Sequence, residues 1–322
     1  MKVLVTGGCG FVGRHFARYY LNAGDVVTAV DDLSAGIEPA RWRFKSDSRF
    51  RHNLKFVHSD VRNFFKLYKP DEFDLIIHCA AVVGGRLKID GDPLAVATDL
   101  SIDSQFFDWV VRARSKPKVI YFSSSAVYPL DRQTRESNCE LFEALVDTNA
   151  LEWRKPDMTY GFVKFAGEYL CQFAAQNYGL DVKIYRPFGG YGEDQSLDYP
   201  FPSIVRRVTS GENPVVVWGS GEQMRDFVHI DDVVDCVVRT MDSLQPGETL
   251  NIGTGIRTSF KQLARMVAQR AGKNLKVVND VDKPEGVFCR VAGTRRLNQL
   301  WQPSISLERG IDRMLSGLTG RS

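Results

Sequence analysis

The sequence predicts an α/β fold in which a doubly wound parallel sheet carries a smaller, discontinuous C-terminal lobe. Short apolar strands alternate with helical patterns through the first half of the chain, and this alternation indicates parallel strands joined by right-handed crossovers. Past Pro187 glycines and prolines become frequent and the regular alternation ends. We therefore expect residues 1–186 and about 225–254 to form the sheet domain. Residues from about 187–224 and 255–322 are expected to form the smaller lobe.

The first strand of the predicted sheet leads into a glycine turn. The apolar segment Lys2–Thr6 is followed directly by Gly7, Gly10 and Gly13, and then by a helical pattern that ends near Gly24. This order exposes backbone N–H groups at a helix N-terminus, where a pyrophosphate binds. Glycine also allows a tight turn, close approach of the phosphates and close packing of helix on strand. The turn therefore predicts a Rossmann-type dinucleotide-binding domain.

The second strand supplies the acid that such a domain uses. Val26–Val30 ends at Asp31 and Asp32, at the distance from the turn expected of a ribose-binding carboxylate. A carboxylate at this position accepts hydrogen bonds from the ribose hydroxyls and repels a 2′-phosphate, so the predicted cofactor is NAD rather than NADP. The residues expected to hold this part of the cofactor are Gly7, Gly10, Phe11, Val12, Gly13, Asp31 and Asp32.

Later strands bring further residues to the same edge, because ligands of doubly wound sheets lie across the carboxyl ends of the strands. Asp60 and Val61 follow the third strand and are expected to reach the adenine. Ala80 and Ala81 follow the fourth strand and are expected to line the pyrophosphate and nicotinamide half. The remaining strands are predicted at Leu54–His58, Asp74–Ala80, Val119–Ser123, Val182–Tyr185 and Thr249–Ile252, and further helices at Tyr160–Asn177, Phe260–Arg270 and Leu307–Leu315.

Two further segments combine into a proton-transfer site. Tyr160 and Lys164 lie four residues apart, on one face of a predicted helix. A nearby ammonium and a cationic nicotinamide stabilise tyrosinate, and are expected to lower the pKa of the phenol from about 10 towards neutrality. The hydroxyl of Ser124, at the end of the fifth strand, is placed to share the substrate proton with Tyr160. Ser124, Tyr160 and Lys164 are therefore the predicted catalytic residues, and Tyr160, Lys164 and Pro187 are also expected to contact the cofactor.

Composition restricts the class of protein. The formal net charge of +3 over 322 residues is too small to indicate a nucleic-acid partner, and the basic stretch from Arg41 to Arg51 is interpreted as a solvated loop. The six cysteines show no Cys-x-x-Cys and no metal-ligand spacing with the five histidines. We expect reduced thiols, no metal site and a cytoplasmic location. No signal segment and no apolar run of membrane-spanning length is present, so no membrane contact is expected.

Together these motifs resemble the extended short-chain dehydrogenases/reductases, in particular the NAD-dependent epimerase/dehydratase family that acts on nucleotide-diphospho-sugars. The likeness covers nearly the whole chain, and it rests also on Arg186-Pro187-Phe188 and on the segment Arg225–Asp232. The resemblance implies a homodimer built on helices near 94–113 and 160–177. It further implies a nucleotide pocket around Val215–Met224, with Arg225 and Arg290 on the substrate diphosphate. The residues expected to bind the substrate are Gly85, Arg86, Ser124, Ser125, Gly189, Trp218, Arg225 and Arg290.

The reaction is inferred from what the chain keeps and lacks within this family. Its local sequence is similar to GDP-mannose 3,5-epimerase and GDP-fucose synthase, which place a cysteine two residues after the catalytic serine. Here that position is Ala126, and the loop Asp198–Pro202 lacks their lysine or histidine partner. The serine, tyrosine and lysine with NAD are sufficient for oxidation at C4, rotation of the ketone and return of the hydride. We therefore expect a 4-epimerase with tightly bound NAD, acting on a UDP- or GDP-sugar.

Departures from the family pattern leave alternatives open. Gly189 stands where asparagine is usual and is expected to make room for a larger sugar substituent, and Asp99 also replaces an asparagine. The alternatives are a nucleotide-4-keto-sugar reductase, a 3,5-epimerase with a different acid pair, and a non-catalytic protein that binds NAD or a nucleotide sugar. Four loop residues are candidates for a further acid/base group: Arg86, Asp194, Asp198 and Tyr199.

Overall fold

The computed structural model describes residues 1–42, 52–82, 91–137, 140–150 and 154–319. Strands and helices alternate through the first half of this part of the chain. The strands are β1 Lys2–Thr6, β2 Val26–Asp31, β3 Leu54–His58, β4 Leu75–His78, β5 Lys118–Phe122, β6 Glu140–Leu141, β7 Val182–Pro187, β8 Val215–Trp218, β9 Met224–Arg225, β10 Thr249–Ile252, β11 Thr258–Ser259, β12 Val277–Asp280 and β13 Cys289–Ala292. The α-helices are α1 Phe11–Asn22, α2 Val61–Leu67, α3 Pro93–Val96, α4 Asp99–Val110, α5 Met158–Tyr178, α6 Pro200–Ser210, α7 Ile230–Thr240, α8 Phe260–Arg270, α9 Leu297–Leu300 and α10 Leu307–Thr319.

The main sheet of the described chain has seven strands in the order β10-β7-β5-β4-β1-β2-β3. All of its neighbouring strands are parallel. From β1 the chain first builds outwards through β2 and β3, and then returns to the other side of β1 for β4, β5, β7 and β10. The strand order therefore reverses between β1 and β4, and a ligand crevice is expected at the carboxyl ends of these strands. The predicted doubly wound parallel sheet is confirmed.

Helices cover both faces of this sheet because its strands are apolar on both sides. Val3 and Val5 pack with Phe16 of α1 in one buried cluster, whereas Leu4, which points to the opposite face, packs with Phe106 of α4 in another. The alternation follows from the two-residue period of a strand. The two packed faces hold the carboxyl ends of the strands in fixed positions, and the site is built on those ends.

A third apolar cluster lies outside the main sheet, in the region after Pro187. Strands β8 and β12 pair in parallel, and α6, α8 and α10 pack against one another beside them. Val205, Val217, Leu263 and Ile311 are buried together in this cluster. The cluster agrees with the change of sequence texture past Pro187. The boundaries of the two lobes stay a prediction.

The cysteines of the described chain differ in their oxidation state. Cys289 is disulfide-bonded, whereas Cys9, Cys79, Cys171 and Cys236 are free. The expectation of reduced thiols is therefore wrong for Cys289, because such pairing depends on proximity in the fold and leaves no motif in the sequence.

Within the described ranges no group of three or more histidine, cysteine or acidic side chains is arranged to hold a metal ion. No helix of those ranges has the length and apolar character needed to cross a membrane.

Candidate active site

A cavity of about 440 Å³ lies along the carboxyl ends of the main-sheet strands. Its volume is in the range of sites that bind small molecules and cofactors. Every residue predicted for catalysis or cofactor binding lines this cavity, as do three of the predicted substrate contacts, one of which is the catalytic Ser124. These residues are Gly7, Gly10, Phe11, Val12, Gly13, Asp31, Asp32, Asp60, Val61, Ala80, Ala81, Ser124, Ser125, Tyr160, Lys164, Pro187 and Gly189.

The glycine turn at one side of the cavity has the geometry that a pyrophosphate needs. Gly7 has a φ of +63°, and a Cβ at Gly13 would lie 2.2 Å from the carbonyl oxygen of Gly7. Gly10 caps α1 without a side chain, and the first turn of α1 contains no acidic residue. An anion here meets backbone donors and the positive end of the helix dipole, with no carboxylate in that turn to repel it. The turn therefore fits the dinucleotide predicted from the sequence.

Asp31 and Asp32 stand at the end of β2, on the side of the cavity where the adenosine is predicted to bind. The Oδ2 of Asp31 accepts the N–H of Cys9 at 2.9 Å, and its Oδ1 accepts that of Leu33 at 2.8 Å. Burial raises the pKa of Asp31, and these backbone hydrogen bonds oppose the shift. Since each carboxylate oxygen accepts two hydrogen bonds, Asp31 keeps acceptor capacity for ribose hydroxyls.

Asp60 is engaged by a neighbour that the sequence analysis missed. It caps α2 by accepting the N–H of Arg62 at 2.8 Å, and the guanidinium of Arg62 also binds it, with Nε 3.0 Å from Oδ1 and Nη2 2.6 Å from Oδ2. The bond with Arg62 lowers the pKa of Asp60. Arg62 itself lines the cavity. The signal in the sequence was an acid two residues before an arginine at a helix start, which also occurs commonly on protein surfaces.

Ser124, Tyr160 and Lys164 line the other end of the cavity. The Oγ of Ser124 accepts the N–H of Ala126 at 3.1 Å, which fixes the hydroxyl at the end of β5. Lys164 is 5% exposed. Burial opposes its charge, but the carboxylates of Asp103 and Asp99 and the phenol of Tyr160 outweigh burial and raise the pKa of Lys164. The ammonium of Lys164 is therefore cationic at neutral pH.

The face of α5 that carries these groups is fixed to β5 and β7 by a buried ion pair. Tyr160, Lys164 and Glu168 recur every four residues and so share one face of the helix. Glu168 accepts two hydrogen bonds from the guanidinium of Arg186, at 2.8 and 2.6 Å, and a third from the hydroxyl of Ser123. Glu168 and Arg186 are 0% and 1% exposed. The pair therefore sets the position of α5 relative to the strand end that carries Ser124.

The predicted substrate residues Trp218, Arg225 and Arg290 do not line the cavity. The guanidinium of Arg225 lies over the ring of Phe260, 5.4 Å from its centroid. Arg290 donates to Gln133 at 2.6 Å and forms an ion pair with the buried Asp157 at 2.8 Å. Trp218 is half-buried at the end of β8. Gly85 and Arg86 lie outside the described residues.

The expectation that Gly189 makes room for the sugar is wrong. Gly189 has a φ of +40°, and a Cβ there would lie 2.1 Å from the backbone oxygen of Asp226. The space that a side chain would need is therefore filled by the main chain. Glycine at this position allows the positive φ that the turn requires, and it does not open a pocket.

The candidate acid/base residues of the following loop have different surroundings. Asp194 binds Arg14 at 2.7 Å and His15 at 2.9 Å, so it connects this loop to α1. Asp198 is exposed and accepts a hydrogen bond from Ser196 at 2.9 Å. Tyr199 lines the cavity together with Ser124 and Tyr160. Of these three loop residues, only Tyr199 is placed to meet a ligand of the cavity.

The fold and the cavity together indicate a class of protein. A doubly wound sheet whose crevice unites a glycine turn, an acid at the end of the second strand and a serine–tyrosine–lysine set is typical of dinucleotide-dependent enzymes. Residues 3–253 match the model of the NAD dependent epimerase/dehydratase family. The chain belongs to this family, and the predicted NAD cofactor agrees with it.

The chain is similar to curated and solved proteins that modify nucleotide sugars. It is 28% identical to the probable GDP-L-fucose synthase 1 of Oryza sativa subsp. japonica, over 96% of this chain and 89% of that protein. It is 26% identical to the GDP-L-fucose synthase of Escherichia coli (strain K12), over 96% of this chain and 94% of that protein. UDP-glucuronic acid 4-epimerase from Bacillus cereus, solved with UDP-glucuronic acid and NAD, superposes with a TM-score of 0.83 at 26% identity, covering 100% of both chains. The chain is thus a nucleotide-sugar-modifying enzyme of the family.

Proposed function

We propose that the protein is an NAD-dependent nucleotide-sugar epimerase that inverts C4 through a transient 4-keto sugar. The observation that supports this most directly is that Ser124, Tyr160 and Lys164 line the same cavity as the glycine turn and Asp31. These residues are the smallest set that removes a hydroxyl proton beside a bound nicotinamide. The fold similarity to a UDP-sugar 4-epimerase supports the same reaction.

In this proposal Tyr160 is the base and Ser124 assists it. The phenolate of Tyr160 takes the proton of the C4 hydroxyl while the hydroxyl of Ser124 holds the oxygen by a hydrogen bond. Lys164 stabilises the phenolate by its positive charge. Bound NAD supplies a hydride acceptor that returns the same hydride. Once the ketone has turned its other face inwards, Tyr160 gives the proton back to the oxygen, and the sugar leaves with C4 inverted.

We further propose that Trp218, Arg225 and Arg290 form the nucleotide half of the substrate site. Arginine suits a diphosphate because its planar fork matches two oxygens at once. For Arg290 this requires an exchange, since its guanidinium serves Gln133 and Asp157 in the structure. The nucleotide of the substrate is UDP or GDP: the two GDP-L-fucose synthases are named for a GDP-sugar, whereas the solved 4-epimerase contains a UDP-sugar.

Tyr199 favours a second candidate, in which a further proton donor acts on the sugar. Burial raises the pKa of Tyr199, and the neighbouring Tyr160 and Asp198 raise it further. Tyr199 therefore stays protonated at neutral pH, and its hydroxyl can donate a hydrogen bond to a ligand of the cavity. A 4-keto-sugar reductase or a 3,5-epimerase would use such a donor, whereas the 4-epimerase does not need it.

Product analysis by NMR tests these candidates. The purified protein is incubated with UDP-, GDP-, CDP- and dTDP-sugars, first without added cofactor and then with NAD or NAD(P)H. The proposal predicts an epimer mixture at C4 from one sugar without added cofactor. Turnover that occurs only with added NAD(P)H would establish the reductase instead. Binding of NAD and sugar nucleotide without any turnover would establish a non-catalytic protein.

We also propose that the protein is a homodimer, built on the exposed faces of α3, α4 and α5. Leu94, Leu100, Phe162, Tyr169 and Phe173 are exposed apolar side chains on these helices. Such a concentration of exposed apolar groups is typical of an interaction surface. Light scattering on a gel-filtration column should give twice the mass of one chain, and Phe173→Glu should shift the protein to the monomer.

A further inference from the structure

The adenosine end of the cavity has an uneven distribution of charge. Three carboxylates line it, those of Asp31, Asp32 and Asp60. Of the described residues that line the cavity, two are cationic, Lys164 and Arg62. Lys164 stands at the opposite end, beside Tyr160, so Arg62 is the described cation at the end where the adenosine is predicted to bind. What Arg62 binds therefore affects which dinucleotide the cavity accepts.

The guanidinium of Arg62 is held by Asp60. Its Nε lies 3.0 and 3.2 Å from the two oxygens of Asp60, and its Nη2 donates to Oδ2 at 2.6 Å. The remaining terminal nitrogen, Nη1, lies 3.4 Å from the hydroxyl of Ser101. Asp60 also caps α2 by accepting the backbone N–H of Arg62. The carboxylate of Asp60 therefore binds both the backbone and the side chain of Arg62. Such a local pair forms whenever α2 forms.

The same guanidinium would suit a phosphate. A carboxylate and a phosphate present their oxygens to the guanidinium fork in similar geometry. An arginine near the adenosine ribose is also the group that accommodates the 2′-phosphate of NADP in dinucleotide-binding folds. The hydrogen bond that Arg62 donates to Asp60 raises the pKa of Arg62, and the charge of Asp32 raises it further, so Arg62 lies within electrostatic reach of the end of β2.

We infer that Asp60 is a specificity-determining residue, which keeps Arg62 from a 2′-phosphate and thereby favours NAD over NADP. Asp31 and Asp32 repel the 2′-phosphate directly, whereas Asp60 acts by occupying the cation that would attract it. This inference rests on the proposed function only in taking NAD as the cofactor. It changes the expected role of Asp60, from a contact of the adenine to a partner of Arg62.

The test compares the two dinucleotides on one protein. Purified protein is equilibrated with an equimolar excess of NAD and NADP and freed of unbound dinucleotide by gel filtration, and the retained NADP:NAD ratio is measured by chromatography after denaturation. Any contact of Asp60 with the adenine cancels in this ratio, because both dinucleotides carry the same base. Asp60→Asn keeps a capping side chain for α2 and removes the charge that holds Arg62. The ratio should rise about tenfold, the effect of one charge-assisted hydrogen bond.

A second variant separates release of the arginine fork from a general change of charge. Asp60→Asn combined with Arg62→Lys keeps the positive charge and removes the fork, so most of the gain should disappear. Asp108→Asn is the matched control, because Asp108 forms a similar two-oxygen pair with Arg112 on the exposed side of α4, outside the cavity. Its NADP:NAD ratio should equal that of the wild type.

An unchanged ratio in Asp60→Asn, or a full gain in the variant that also carries Arg62→Lys, would overturn the inference. If Asp60→Asn does not fold, Asp60→Ser provides a capping hydroxyl and the same measurement. Wild-type protein that retains neither dinucleotide would overturn both this inference and the cofactor of the proposed function. Wild-type protein that retains NAD but turns over no sugar would overturn the proposed reaction alone, and a rise in the ratio for Asp60→Asn would still support the inference.

Discussion

The two halves of the candidate site differ in the kinds of groups that form them. The predicted cofactor half consists of main chain and short side chains at strand ends and at the start of α1, such as Asp31, Gly7 and Gly13. The proposed substrate half depends on two long arginines, Arg225 and Arg290, which contact other residues of the protein. Arg290 joins Gln133 and Asp157, which are 157 and 133 residues away in the sequence. The cofactor half is thus shaped by its own strand ends, whereas the substrate half is held by contacts between distant segments.

This difference has a physical consequence for binding. A dinucleotide meets backbone donors that are already aligned, so little of its binding energy is spent on ordering the site. A diphosphate bound at Arg290 would have to displace the carboxylate of the buried Asp157, so an existing ion pair would be given up on binding. We therefore expect the protein to hold NAD more tightly than the nucleotide sugar.

The largest effect is expected at Tyr160, where the two halves meet. Tyr160→Phe should lower kcat by about 10²- to 10⁴-fold, the contribution of a positioned acid/base group. Bound NAD should remain, because the ring stays in place. Turnover is followed by NMR, and the bound dinucleotide is quantified after denaturation. Tyr199→Phe is the matched control, and it should leave 4-epimerisation nearly unchanged. Full activity of Tyr160→Phe would remove the proposed base.

The next largest effect tests the rigidity of the cofactor half. Gly13→Ala places a Cβ 2.2 Å from the carbonyl oxygen of Gly7, so the turn has to shift. We expect the variant to lose bound NAD and to unfold with a free energy lower by about 1–3 kcal/mol, a typical cost of overpacking. Chemical denaturation measures the latter. Gly91→Ala, where a Cβ would meet nothing within 4 Å, should change neither quantity. Retention of NAD by Gly13→Ala would show that this half adapts.

The substrate half should respond in KM rather than in kcat. Arg225→Ala and Arg290→Ala should each raise KM for the nucleotide sugar about tenfold or more, because a charge-assisted hydrogen bond to the diphosphate is lost. Bound NAD should be unaffected. Arg112→Ala, which removes an exposed arginine outside the cavity, should leave KM unchanged. Normal kinetics in both variants would show that neither arginine binds the nucleotide sugar.

The smallest effect concerns the contacts that join the loop after β7 to the rest of the chain. Burial opposes ionisation of Glu193, but His229 and Arg313 outweigh it and lower its pKa to about 2. The folded protein thus binds this proton less tightly than the unfolded chain does. The stability from Glu193 is complete above the ordinary pKa of about 4.5 and is lost as pH falls towards 2. The free energy of unfolding should therefore fall with acidification in this window, and less steeply in Glu193→Gln. Parallel pH profiles of the two proteins would contradict this assignment.

Much of the cofactor half could be predicted because its signals are local. The glycine turn, Asp31 and the paired Tyr160 and Lys164 each occupy a short stretch with a fixed relation to a strand or helix. Residues 54–58, 249–252 and 260–270 form the predicted elements with the predicted bounds. A short motif in a strand or helix has side-chain positions that the regular geometry of that element fixes. The fold then brings these positions together around the cavity.

The rest of the site escaped prediction because it depends on contacts between distant segments. The pairing of Arg290 with Asp157 and the disulfide of Cys289 leave no periodic trace. The carbonyl oxygen of Asp226, which fills the space beside Gly189, belongs to the residue directly after β9, 37 positions later in the chain. The sequence therefore suggested free space where there is none. Arg62 was missed for the opposite reason, because its signal was local but too common to distinguish.

The buried pair of Glu168 and Arg186 has a consequence for protein engineering. Through Ser123 it joins three segments that are separate in the sequence: the end of β5, the middle of α5 and the end of β7. A chimera that takes one of these segments from a relative would leave a buried charge without its partner, a cost of several kcal/mol. Segments exchanged between relatives should therefore be transferred as a set of three, whereas surface loops that lack such a partner can be replaced one at a time.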